Sequence, residues 1–493
     1  MIMPALLNNE LLKELPPHLK GPSYRPSEHG ASIVHLGIGA FHKAHQAVYT
    51  DDLLSACGGD WRINAVSLRS PTVRDQLAPQ DYLYTVTEKH NGKSEHRVIA
   101  AINKVLVAPE NPLSVIELLA DIKTKVVTCS ITEKGYCLTP SNTVLDLRHP
   151  DIVHDINNLS SPKTMAGYVV AACLIRRQRG LPGFTFLSCD NLPDNGKTAG
   201  YAISQLAERI DSTLAEWIAL NVSFCNTMVD RIVPAVTDAE KTQLHDAMGF
   251  CDDALVSCEP FRQWVIEDNF IDEKPPWHLV GAQFVADVSD YEKMKLRLLN
   301  GSHSALAYMG KLLDHDYIYQ AIQDEDLSVF VDTLMEDIAS TLPAIEGVDF
   351  DKYQLSIKTR FANTDIPYTT QQVATDGSKK LPQRILQPLL ECINKGRISK
   401  PLCLVIAAWI HYLKGSTNTG KAITINDPLS APLNTLVDKY RYSSMALVKN
   451  LGSQTGVFPD ELMSNQEFLA LVSRYVYTLD ELPLRQLIVE INQ

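Results

Sequence analysis

The chain has no apolar run long enough to cross a membrane. Its longest apolar stretches, such as Leu402 to Ile410, fall well short of the ~18 residues a spanning helix needs. The N-terminal stretch Met1 to Pro17 lacks the basic start and apolar core of an export signal. There are 10 cysteines, but none form CxxC pairs and their spacing is not that of a small stapled domain, which implies free thiols in a reducing compartment. A cytoplasmic location, without membrane association, is expected. HExxH is missing, and the 14 histidines do not cluster with Cys or carboxylates at zinc spacing, so no metal site is expected. Nor is there an excess of positive charge. Lys and Arg total 45 against 58 Asp and Glu, a net charge of -13, which argues against a nucleic-acid partner. An acidic average still permits an anionic substrate, because a site needs only a few local cations.

At 493 residues, the chain should form two large domains or about three of ordinary size. Ser32 to Leu36 is a short apolar run ending in Gly37-Ile38-Gly39, and Lys43 to Ala56 can form a helix. Ile63 to Leu68 follows as a second strand, with further buried strands over Lys125 to Thr132 and Phe184 to Ser188. Helical segments, including Ser161 to Arg179 and Lys197 to Asn221, lie between them. Alternation of this kind predicts an α/β domain with a doubly wound parallel sheet over residues 1–285. From about Tyr291 the texture becomes long helical patterns separated by loops such as Ala374 to Pro382 and Asn418 to Pro428. A second, mainly α-helical domain over 286–493 is expected.

Two constellations carry chemistry. In the first, Gly37 permits a tight turn after a strand, and Gly39 lets the backbone approach a pyrophosphate at the start of the next helix. The run Gly37-Ile38-Gly39-Ala40-Phe41-His42 lacks the third glycine of the usual fingerprint, so alone it is also compatible with a plain turn. The acidic residue that would hold the adenosine ribose is absent from Leu68-Arg69-Ser70-Pro71-Thr72. Arg69 can instead accept a 2′-phosphate, which leaves NAD and NADP both open.

The second is Glu292, Lys295, Asn300 and His303. At about 100° per residue, with Lys295 at zero, they fall near 60° (Glu292), 140° (Asn300) and 80° (His303), on one helix face. A desolvated lysine can act as general base towards an alcohol, while Asn and His donate hydrogen bonds to an oxygen becoming an alkoxide. A solvated face with a hydrogen-bonded core histidine is the plainer alternative for these residues taken alone.

The stretch Ile33-Val-His-Leu-Gly-Ile-Gly-Ala-Phe-His-Lys-Ala-His-Gln46 resembles the N-terminal signature of the polyol-specific long-chain dehydrogenases, the mannitol dehydrogenase family. Thr132-Glu-Lys-Gly-Tyr-Cys137, Ser188-Cys-Asp-Asn191, Phe224-Cys-Asn-Thr-Met-Val-Asp-Arg-Ile-Val-Pro234, the Lys295 to His303 block and Thr375-Asp-Gly-Ser-Lys-Lys-Leu-Pro-Gln-Arg384 are similar to the same family. The resemblance implies a Rossmann-type domain followed by a helical domain, with a zinc-independent active site in the cleft between them and NAD(H) as cofactor. It also implies that Lys295 is the general base, that Asn300 and His303 polarise the substrate carbonyl, and that Glu292 links the lysine to solvent.

Asn191 and Asp230 would contact the substrate. Asp230 can equally be a structural partner of Arg231, Asn191 a strand-end cap, Glu292 a solvated carboxylate and Glu133 a turn residue rather than a neighbour of the nicotinamide. Gly37, Ile38, Gly39, Ala40, Phe41, Arg69 and Glu133 are the expected cofactor contacts.

Within the family, Gln372 stands where the mannitol branch tends to carry arginine. Blocks such as Cys258 to Phe270 and Lys380 to Arg384 are similar to the mannonate oxidoreductase branch. A sugar acid, with fructuronate favoured over fructose or another polyol, is therefore the expected substrate, and Lys380, Arg384 and Arg360 are the candidate cations for its carboxylate. Two other classes stay open: a non-catalytic dinucleotide sensor, and a sugar-phosphate dehydrogenase that would need a denser cluster of cations. A monomer or small homo-oligomer is expected.

Overall fold

In the computed structural model, which describes residues 5–17, 19–139 and 143–493, two compact units divide the chain at Ser289/Asp290. The first four residues of the N-terminal segment considered above lie outside the described residues.

Strands of the first unit are β1 (Ile33–Leu36), β2 (Ile63–Ser67), β3 (Tyr84–His90), β4 (Lys93–Ile99), β5 (Ile102–Val107), β6 (Val126–Cys129), β7 (Thr185–Ser188), β8 (Ser223–Cys225), β9 (Thr227–Asp230), β10 (Val256–Cys258), β11 (Gln263–Glu267) and β12 (Gln283–Val285). Six of them form one sheet in the order β5-β2-β1-β6-β7-β8, with every neighbouring pair parallel. That is the strand order of a doubly wound dinucleotide-binding sheet, and it reverses between β1 and β6. All residues of β1, β2, β6 and β7 are buried, as strands covered on both faces require. The turns that follow β1, β6 and β7 therefore emerge side by side at the carboxyl edge of the sheet.

Several predicted elements are shorter or divided. The helix expected over Lys43 to Ala56 is two helices, Ala40–Ala44 and Gln46–Cys57, broken at His45 (φ -121°, ψ -89°). There the imidazole Nε2 lies 2.9 Å from the Gln263 carbonyl oxygen of β11. The strand expected over Lys125 to Thr132 stops at Cys129, because the chain turns sharply at Thr132. The helix expected over Lys197 to Asn221 divides at Asp211 into Asn195–Ile210 and Ser212–Asn221. Asp211 is the reason: its carboxylate caps the second helix by accepting the Thr213 and Leu214 amides. The β3–β4 hairpin was not anticipated, since charged residues interrupt both strands. Its signal is Asn91-Gly92, both with positive φ, the pair that a tight hairpin turn favours.

The second unit is helical throughout its described secondary structure. Ala374 to Pro382, expected as a loop, contains the helix Gly377–Leu381. Gly377 is needed there because a Cβ would come within 2.6 Å of Trp409 Nε1 and 2.7 Å of the Tyr308 hydroxyl.

Candidate functional site

Gly37 adopts φ +95°, and a Cβ there would fall 2.4 Å from the Ser130 carbonyl oxygen in the turn after β6. Glycine is required on both counts. The Gly37 and Ile38 amides both donate to the Val66 carbonyl of β2 (2.9 and 3.2 Å), so the turn after β1 is held from either side. Gly39 caps the helix Ala40–Ala44 in extended backbone, and a Cβ there would meet nothing closer than the Gly37 oxygen at 4.0 Å. Its glycine is not demanded by the protein's own packing. The open space over it is what close approach of a pyrophosphate would use. Ala40 is exposed, and the half-buried Phe41 ring stacks on His45 with centroids 5.0 Å apart.

Arg69 is exposed just beyond β2, in a turn held by a 2.6 Å bond from the Ser67 hydroxyl to the Ser70 carbonyl. Glu133 is exposed and opens the 3-10 turn Glu133–Tyr136 after β6. Asn191 is exposed beyond β7, and Asp230, which ends β9, is buried. The Arg231 guanidinium, next in the chain, goes to Glu88, to the Ala44 carbonyl (2.6 Å) and to the Glu259 carbonyl (2.9 Å).

In the second unit, Glu292, Lys295, Asn300 and His303 lie on one continuous helical run, but it is not one regular helix. The α-helix Ser289–Met294 passes into a π-helical turn, Lys295–Leu299, before α-helix resumes over Asn300–Leu312. The Asn300 amide donates to the Lys295 carbonyl, five residues back. This changes the 100° arithmetic: the wider turn brings Asn300 closer in azimuth to Lys295 than a regular helix would. Single π turns of this kind recur at functional sites.

Lys295 is 9% exposed, while Glu292, Asn300 and His303 are half-buried. The His303 ring is held by aromatic contacts, stacked on Phe361 (4.6 Å between centroids) and edge-on to Tyr368 (4.9 Å). Two residues past Lys295, the buried Arg297 makes a two-pronged ion pair with Glu391, and this anchors the π turn. Neither that pair nor the π turn was foreseen from the sequence, where Arg297 reads as one more helical cation.

The candidate carboxylate-binding cations differ in their surroundings. Lys380, in the helix Gly377–Leu381, donates back to the Val373 carbonyl (3.4 Å) and the Thr375 hydroxyl (3.3 Å). Arg360 is buried in the helix Phe350–Phe361. Arg384 lies in a second π turn, Pro382–Leu386, and donates to the Asn300 carbonyl (3.4 Å) and the Ser304 hydroxyl (3.2 Å). Among the described residues it has no carboxylate partner, and burial lowers its pKa to about 10, which still leaves it charged near neutrality. The two π turns approach where a Cβ on Gly301 would be 3.0 Å from the Arg384 carbonyl. Gln372, at the position that separates the branches, caps its own short helix: its amide oxygen accepts the Thr369 N–H and its backbone N–H donates to the Thr369 hydroxyl.

Comparison with known proteins matches the model of the mannitol dehydrogenase Rossmann domain to residues 31–279 and that of the mannitol dehydrogenase C-terminal domain to residues 287–480. D-mannonate oxidoreductase of Escherichia coli (strain K12) is 41% identical over 458 residues, covering 92% of this chain and 94% of the relative. Mannitol 2-dehydrogenase of Aspergillus oryzae is 38% identical over 485 residues, 96% of each chain. Among solved structures, the Pseudomonas fluorescens mannitol 2-dehydrogenase ternary complex with NAD and D-mannitol superposes with a TM-score of 0.84 at 38% identity, covering 98% of this chain and 99% of that one.

Proposed function

Because the chain belongs to the mannitol dehydrogenase family, we propose that this oxidoreductase catalyses the reversible, NAD(H)-dependent reduction of D-fructuronate to D-mannonate. The observation that carries the sugar-acid reading is Arg384, a desolvated guanidinium whose bonds among the described residues go to neutral oxygens alone. Leaving a cation in that state is costly, and a substrate carboxylate would answer it with charge-assisted bonds. The 41% identity to a D-mannonate oxidoreductase supports the same reading. Lys380 and Arg360 are the further candidates for that contact.

The turn Gly37 to Phe41, Arg69 and Glu133 would hold the dinucleotide. The open space over Gly39 fits its pyrophosphate. Bound there, the cofactor would supply hydride for reduction of the ketone and would take hydride up in oxidation of the alcohol.

The rest of the chemistry belongs to the chain's own side chains. In reduction, protonated Lys295 gives its Nζ proton to the oxygen that becomes the hydroxyl, and in oxidation neutral Lys295 takes that proton back. Asn300 and His303 donate hydrogen bonds to the same oxygen, and these strengthen as negative charge develops. Glu292 returns the lysine to its starting protonation state by exchanging protons with solvent. Asn191 and Asp230 contact the remaining hydroxyls.

The test is to follow nicotinamide absorbance with fructuronate and with fructose, each offered with NADH and with NADPH. Turnover with fructuronate alone is expected, and Arg384→Met should lower its kcat/KM on the order of a hundredfold. A clear preference for fructose would replace this reading with a mannitol 2-dehydrogenase, and no turnover with any pairing would overturn both.

A further inference from the structure

One buried carboxylate ties the turn after β6 to the turn after β7. Asp190, 8% exposed, accepts the backbone N–H groups of Ile131 (2.9 Å) and Thr132 (2.8 Å) on Oδ1. Its Oδ2 accepts the Tyr136 hydroxyl (2.6 Å) and again the Ile131 N–H (3.1 Å). Tyr136 is itself fixed by a 2.6 Å contact between its hydroxyl and the Ser188 hydroxyl at the end of β7. On the other side of the turn, the Ser130 hydroxyl donates to the Gly37 carbonyl (3.1 Å). The edge of the sheet at its reversal point is thus linked in sequence from Gly37 through Ser130 and Thr132 to Asp190.

Within this linked edge Thr132 stands in a conformation that threonine avoids. Its φ of +67° and ψ of 162° lie in a region essentially confined to glycine, and its branched Cβ makes the position a genuine outlier. Such a residue persists only where its surroundings over-determine it. Here the determinant is visible: Asp190 takes hold of two successive amides, Ile131 and Thr132, and so fixes the peptide between them. A turn required only to leave a strand would be built more simply with glycine at 132. The next residue, Glu133, is exposed. The turn also sits where the strand order reverses between β1 and β6, the place at which doubly wound sheets bind their ligands.

We propose that Asp190 is a positioning residue for the nicotinamide half of the cofactor, holding Thr132 in its strained conformation so that the Thr132-Glu133 step is presented to the ring. The assignment rests on the NAD(H) reading above. It separates the two halves of the dinucleotide: the adenosine and pyrophosphate depend on the turns after β1 and β2, whereas the nicotinamide depends on Asp190 acting through Thr132.

The experiment compares the affinities of NADH and of ADP-ribose, which lacks the nicotinamide, by calorimetric titration of the full chain. Asp190→Ala should weaken NADH about tenfold or more, as expected for the loss of several charge-assisted bonds, and leave ADP-ribose within about twofold. Thr132→Gly placed in the Asp190→Ala background should recover part of the NADH affinity, because glycine holds the φ and ψ of residue 132 without the carboxylate. A purely structural carboxylate would give no such rescue and no split between the ligands. Asp190→Asn keeps an oxygen for the two amides and should lose less NADH affinity than the alanine variant while still sparing ADP-ribose. If the alanine variant does not fold, the asparagine variant carries the test, and an unchanged NADH affinity or an equal loss of both ligands overturns the assignment. An unsubstituted protein that binds neither ligand would instead overturn the cofactor reading.

Discussion

Arg297 and Glu391 meet in a two-pronged ion pair, with N to O distances of 2.7 and 2.6 Å, on the turn that begins with Lys295. The guanidinium is buried and also donates to the Thr341 hydroxyl at 3.1 Å. Removing Glu391 leaves a desolvated cation on the π turn. Glu391→Ala should therefore cost about 3 kcal/mol of stability, measured by urea denaturation, and should lower kcat along with it. Glu391→Gln retains the geometry and should recover most of the turnover. Full activity and stability in the alanine variant would show that the π turn holds itself.

Lys295 should be separable from cofactor binding. General acid-base catalysis by one side chain contributes about 10²–10⁴-fold, so Lys295→Ala should lower kcat by that order. The NADH dissociation constant, read from nicotinamide fluorescence, should stay within about twofold. A variant with near-normal turnover would remove Lys295 from the chemistry, and one that loses NADH binding would make its role structural.

What the sequence revealed follows the physics of each signal. The sheet was legible because β1, β2, β6 and β7 are buried on both faces and so read as short, mostly apolar runs without polar alternation. Lys295, Asn300 and His303 stood out only through the family resemblance of their block, since their spacing alone fits a plain helix face equally well. The π turn was not legible: Lys-Leu-Arg-Leu-Leu over 295–299 has ordinary helical propensities, and the wider turn accompanies Arg297 reaching Glu391, 94 residues away. Asp190 was visible within its motif but not its task, because its two amide partners lie on a different strand's turn. The β3–β4 hairpin, in a separate three-stranded sheet with β10, was missed although Asn91-Gly92 announces it, since the charged residues of β3 and β4 mask their alternation.

The buried histidines behind the glycine turn make stability fall in acid. His35 and His42 stack with centroids 3.5 Å apart. Burial lowers the pKa of His35 and of His45 to about 3, and that of His42 well below its ordinary value. Below about pH 6.5 the unfolded chain takes up protons that the folded imidazoles refuse, so stability is lost as the pH falls through that window, by about 1.4 kcal/mol per pH unit for each histidine. Asp51 and Asp252, whose pKa values burial raises, act in the opposite sense, but equally in any histidine variant. His42→Phe should thus reduce the stability lost between pH 7.5 and pH 5 by about 2 kcal/mol, measured from urea midpoints at the two pH values. An unchanged loss would mean that His42 accepts a proton in the folded state.

Arg69 is the residue expected to weigh between the two nicotinamide cofactors, by charge. It is exposed beyond β2 with no carboxylate in Leu68 to Thr72, so the turn offers no anionic acceptor for the ribose 2′-hydroxyl and one group that can pair with a 2′-phosphate. An exposed cation on a phosphate is worth a charge-assisted bond, about 1.5–3 kcal/mol. If the protein uses NADPH at all, Arg69→Ala should lower its kcat/KM about tenfold or more and change that for NADH by less than about threefold. Arg69→Asp goes further, because its carboxylate can take the two ribose hydroxyls and repels the phosphate, and it should raise the NADH to NADPH ratio beyond that of the alanine variant. Should both variants instead lower the two cofactors alike, Arg69 would be acting on what they share, the adenine or the pyrophosphate, and the preference would have to be set elsewhere in the turn.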